Sequence, residues 1–66
     1  MKAYAIQLRK GTYLTDTMGE TNSLQECMLL KDKATAELYL NYKEIYSKVV
    51  EINIREEQGQ LVAYKE

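Results

Sequence analysis

The stretch KATAELYLNYKEIYSKVVEINIRE, residues 33–56, changes its hydrophobic period partway along. Its first part repeats every three to four residues, and its second part alternates. The switch predicts a helix over about 33–46 followed by a strand over 48–56. Asp32 stands where an N-cap would accept from the free N–H groups of the first turn. Ala, Leu, Glu and Lys dominate the helical part, with no glycine or proline to interrupt it. An earlier end near Asn41 is the alternative, because asparagine tolerates the left-handed C-terminal position. In the strand, Val50, Ile52 and Ile54 line one face, and Glu51, Asn53 and Arg55 line the other.

Working outward, KAYAIQLR at 2–9 alternates, with Tyr4, Ile6 and Leu8 opposite Ala3, Ala5, Gln7 and Arg9. Lys10-Gly11 then suits a hairpin with a bulged turn, and TYLT resumes strand character. DTMGETNS, 16–23, is rich in turn formers and reads as a loop. The short apolar run LQECMLL, 24–30, reads as a third strand. After residue 56, EQGQ gives a turn at Gly59, and LVAYKE is a last strand or a frayed tail. The expected order is β-β-β-α-β-β in one domain spanning 1–66. That is an α+β fold, an antiparallel sheet with one helix packed on one face. The opposite face, carrying Gln7, Arg9, Glu51, Asn53 and Arg55, is expected to be solvated.

Composition narrows the function classes. The chain has 66 residues, one cysteine and no histidine. A domain this small has a thin core and commonly relies on a disulfide, a metal or an association interface. A single cysteine excludes an internal disulfide, and without histidine a structural zinc site is not expected. Association with another chain is the remaining device, a homodimer being the simplest form, beside unaided folding, which many domains of this size achieve. A net charge of -1 supplies no global field toward nucleic acid. No apolar run approaches membrane-spanning length, so no membrane partner is expected. The N-terminus does not resemble a signal peptide and the lone thiol suits a reducing compartment, so the expected location is cytoplasmic.

The helical stretch carries more apolar surface than one contact needs. Ala34, Leu38, Tyr42 and Ile45 form one stripe, and Ala36, Tyr39 and Leu40 form another, with Tyr46 between them. One stripe can meet the sheet. The other is a candidate partner-binding surface, with Leu38, Tyr42, Ile45 and Tyr46 as its anchors. Two blander arrangements stand beside it: the helix ends near Asn41 and the later residues fold over the core, or one wide stripe is buried whole.

Residues with chemistry to offer are few. Glu56 and Glu57 are sequence neighbours that a strand points to opposite faces, and Asp16 and Glu20 lack the alternating pattern of a calcium loop. Cys27 lies in an apolar run with no histidine to activate it, and reads as buried and inert. Gly11, Gly19 and Gly59 are scattered and form no phosphate loop. No enzyme and no cofactor is expected. Arg9, Lys10 and Tyr13 at the first hairpin offer a nucleic-acid alternative, since basic residues with an aromatic can grip a single strand. A small ligand held between subunits of a homo-oligomer is a further alternative.

The succession KAYAIQ, GTYLT, ECMLLKDKATAELYL and KVVEINI resembles, over about residues 2–54, small uncharacterised proteins encoded by phages and prophages of Gram-positive bacteria. The resemblance implies that Ala36, Tyr39 and Leu40 meet the sheet, while Leu38, Tyr42 and Ile45 face outward. Cys27 and Leu30 depart from the pattern, which often has alanine and an aromatic there. It further implies a phage accessory protein that binds and inhibits a host protein, including components of host defence.

Overall fold

The structure, a computed structural model, describes residues 1–40 and 47–65. Five strands and one helix follow in the order β1 (Lys2–Arg9), β2 (Thr12–Leu14), β3 (Glu20–Thr21), α1 (Lys33–Tyr39), β4 (Lys48–Glu57) and β5 (Gln60–Tyr64). All strand pairs are antiparallel, in the spatial order β3-β2-β1-β4-β5. This is the α+β sheet-and-helix fold that the periodicities predict.

Turn chemistry fixes both long hairpins. Gly11 takes φ 76° between β1 and β2, and a bulge between Gln7 and Arg9 adjusts the register there. Between β4 and β5, Gln58 and Gly59 both take positive φ, 51° and 79°. That pair makes a two-residue turn of the twist that matches the strands it joins.

Two features of the sheet differ from the sequence reading. The expected third strand at 24–30 does not form as one. Cys27 N–H instead donates to Ser23 O at 3.1 Å in a helical-type turn. That turn sets Leu24 and Cys27, three residues apart, toward the same side. Leu30 alone forms a bridge, exchanging both backbone bonds with Tyr4 (2.9 and 2.8 Å), while Met28 N–H donates to Leu14 O of β2 at 3.0 Å. The actual β3 lies earlier, at Glu20–Thr21, inside the expected loop.

The second difference concerns the faces. Tyr4 pairs with Glu51, Ala5 with Val50 and Ile6 with Val49. The apolar row Val50, Ile52, Ile54 therefore shares its face with Ala3 and Ala5, not with Tyr4, Ile6 and Leu8. Gln7 falls on that face too, while Glu51, Asn53 and Arg55 lie on the other. The sheet thus has a core on each side. On the helix face, Ile6, Leu14 and Ala36 are buried, with Tyr4, Leu8, Leu30, Tyr39 and Val49 packed around them. On the opposite face, Ala5, Tyr13, Cys27, Ile52 and Ala63 are buried beneath Leu24. That second face is roofed by the turn at Ser23–Cys27 rather than solvated. The charged row survives only at the outer end of the helix face, where Lys2 pairs with Glu51 at 2.8 Å and Arg55 stacks 4.8 Å from the Tyr64 ring.

Asp32 caps α1 as expected, its carboxylate accepting from Thr35 N–H at 2.7 Å. This bond holds the Asp32 carboxyl below its usual range. A depressed folded-state pKa stabilises above the unfolded value, about 3.9, and that contribution fades as pH falls through the folded value. Melting temperature is accordingly expected to fall on acidification below about pH 4, and Asp32→Asn should flatten that portion of the profile. Thermal melts of the two proteins between pH 2 and 6 check it; parallel profiles would count against the cap.

Candidate partner-binding surface

The orientation of α1 follows from its smallest side chain. Ala36 is fully buried against Ile6 and Leu14, which lets the helix backbone approach the sheet closely. Tyr39 and Leu40 flank that contact, so Ala36, Tyr39 and Leu40 are the residues that meet the sheet. Leu38 points away and is 64% exposed. The helix ends at Tyr39, with Leu40 as its C-cap, so the early end and not a helix to about 46 is the outcome; Tyr42, Ile45 and Tyr46, the other expected anchors, lie outside the described residues.

A second apolar residue stands beside Leu38. The β2–β3 connection closes tightly: Thr15 N–H donates to Gly19 O at 3.0 Å, and Met18 N–H to Thr15 O at 3.1 Å. Thr15 Oγ1 in turn accepts from Gly19 N–H at 2.9 Å. This closure holds Met18 at φ 65°, a left-handed conformation unfavourable for a side chain with a Cβ. Met18 is 44% exposed. Together Met18, Thr35, Leu38 and Tyr39 line a shallow groove of 430 Å³ between the loop and the helix. Sequence reasoning missed Met18. A methionine among turn formers carries no periodic signal, and only the loop's closure brings it to the helix.

The other candidates are distributed differently. Arg9 of β1 pairs with Glu20 of β3 at 3.4 Å, reaching past β2. Tyr13 is buried in the core beneath the Ser23–Cys27 turn, with Lys65 Nζ 5.9 Å from its ring centre. Arg9, Lys10 and Tyr13 therefore do not present a joint basic-aromatic surface. Cys27 is buried, its Sγ–H directed to Leu24 O at 3.4 Å. Burial pushes its thiol pKa up, which keeps the sulfur protonated. Glu57 binds Arg55 at 2.6 Å. Among the described residues, no three of His, Cys, Asp or Glu converge as a metal-holding group. No helix among them is long and apolar enough to cross a membrane.

Comparison with protein-family models, with curated proteins and with solved structures returns no match to this chain.

Proposed function

We propose that this domain is a non-enzymatic interaction protein of the phage accessory type, which docks on a host protein through the groove at Leu38 and Met18 and inhibits it. The observation that carries the reading is the pairing of an exposed helix leucine with a methionine held at positive φ. Single exposed apolar residues are ordinary, but two that converge on one groove form a patch. Met18 adds a second argument. Its backbone conformation costs on the order of 1 kcal/mol that glycine would avoid. Strain of this kind concentrates where function requires a side chain at a fixed place. A methionine also adapts its flexible thioether to an irregular partner surface.

Specific interfaces bury upward of about 1,000 Å² in total, more than Leu38 and Met18 alone supply. The proposal therefore keeps Tyr42, Ile45 and Tyr46 as further contacts on the ground of sequence alone, tyrosine being enriched at the centres of interfaces.

Leu38→Asp tests it. The side chain is largely solvent-facing, so stability is expected to change by no more than about 0.5 kcal/mol. Capture from bacterial lysate should yield a protein retained by the wild type and lost with Leu38→Asp and with Met18→Asp. The purified target should lose its activity on adding the wild-type domain and keep it with the variants. Identical capture by all three proteins would overturn the proposal.

A further inference from the structure

The outer edge of β5 carries another apolar notch, on the face of the sheet opposite the Leu38 groove. In the β4–β5 hairpin the two-residue turn makes Glu57 and Gln60 the closing hydrogen-bonded pair. Alternation then turns the backbone groups of Leu61 and Ala63 outward, to the open edge. At Ala63 both groups are taken by one side chain. Gln25 Nε2 donates to Ala63 O at 2.8 Å, and Ala63 N–H donates to Gln25 Oε1 at 3.5 Å. The Gln25 amide thus occupies the position that a peptide group of a neighbouring strand would fill.

The rest of the edge has none of the usual protection. Gln60-Leu61-Val62-Ala63-Tyr64 holds no charge and no proline, the residues that ordinarily keep an edge strand from pairing. Leu61 is 63% exposed. Beside it lies a notch of 140 Å³ lined by Leu24, Leu29, Ile54, Leu61 and Ala63 along with Gln25. An aliphatic cavity of about 150 Å³ accepts a benzene ring, so this notch has room for one branched aliphatic side chain.

We propose that the edge of β5 docks a second copy of this chain, strand to antiparallel strand about a two-fold at Val62, with the partner's peptide groups displacing Gln25. This register is self-complementary. Leu61 of each copy falls opposite Ala63 of the other, and both are outward-bonding positions. The exposed leucine of one copy then enters the notch beside the small Ala63 of its mate. No like charges oppose each other within 60–64. Lys65 of each copy comes beside the partner's β4–β5 turn, on the face that carries Glu56. The product is a continuous ten-stranded sheet in which each copy keeps its own two cores.

Sedimentation equilibrium on the intact chain, over a wide concentration range, tests the seam with three variants. Gln25→Ala removes one competing amide from each copy and is expected to tighten the dimer roughly 25- to 100-fold, the worth of about one net hydrogen bond per copy. Leu61→Lys, at an exposed position that leaves the fold intact, is expected to make the chain monomeric. Leu38→Asp should leave association unchanged, which separates this seam from the groove at α1. In hydrogen exchange, the Leu61 and Ala63 amides should gain protection as concentration rises. Association that persists in Leu61→Lys would overturn the proposal. So would a Gln25→Ala protein, folded by circular dichroism, that associates no more tightly than the wild type.

Discussion

Ala5→Glu is expected to remove about 3–5 kcal/mol, a large part of the domain's stability. Ala5 is fully buried in the core roofed by the Ser23–Cys27 turn, surrounded by Tyr13, Cys27 and Ile52. A carboxylate there is set among apolar side chains, and a buried charge without compensation costs about 3–5 kcal/mol. A chain of 66 residues has roughly 3–10 kcal/mol of stability in all. Far-UV circular dichroism and a urea titration decide the matter. The result carries structural weight, because Ala5 belongs to the row that strand alternation alone would leave in water. A folded variant within 0.5 kcal/mol of wild type, the usual range of a surface change, would mean that the turn at Ser23–Cys27 does not close over the sheet.

Ile6→Ala, one position along, probes the opposite core. Ile6 is fully buried between β2, β4 and the helix, against Leu14 and Ala36. Truncation removes its transfer free energy and leaves a cavity, together about 2–5 kcal/mol. The midpoint of urea unfolding should fall accordingly with little change in slope. A small loss would indicate that α1 settles into the vacated space, which the close approach at Ala36 opposes. Two adjacent residues that are each indispensable, on opposite sides of one strand, are the mark of a central strand buried on both faces.

Much of the fold is legible in the residues. The alternation of Lys2–Arg9 and Lys48–Glu57, the cap at Asp32 and the turns at Gly11 and Gly59 each carry a local cause. Register is not local. Both faces of β1 can be buried, one lined by alanines and the other by Tyr4, Ile6 and Leu8, so alternation alone does not say which row of β4 joins which. The choice is made by Leu24 and Cys27, which cover the alanine side, and their apolar run imitates a strand. The turn that breaks the run is closed locally by Ser23, whose carbonyl accepts from Cys27 N–H and whose hydroxyl accepts from Gln25 N–H, a short polar signal that the apolar run obscures. The candidate surface was legible in part: Leu38 stands out from helical spacing, whereas Met18 reaches it only through the closure of the β2–β3 loop.

The sheet order has a consequence for synthesis. β1 is made before every other strand of the sheet and sits at its centre, yet its long partner β4 follows only after β2, β3 and α1. The earliest β4 residue, Lys48, lies opposite Gln7, and the latest paired one, Asn53, lies opposite Lys2. Until that strand emerges, Ile6 and Ala5 lack the neighbours that shelter them, and the N-terminal hairpin is a two-stranded unit of marginal stability by itself. The nascent domain therefore carries an unsatisfied strand until β4 is made, and folding waits for the β4–β5 hairpin. Truncations that remove β4 and β5 should yield an aggregating chain rather than a smaller domain.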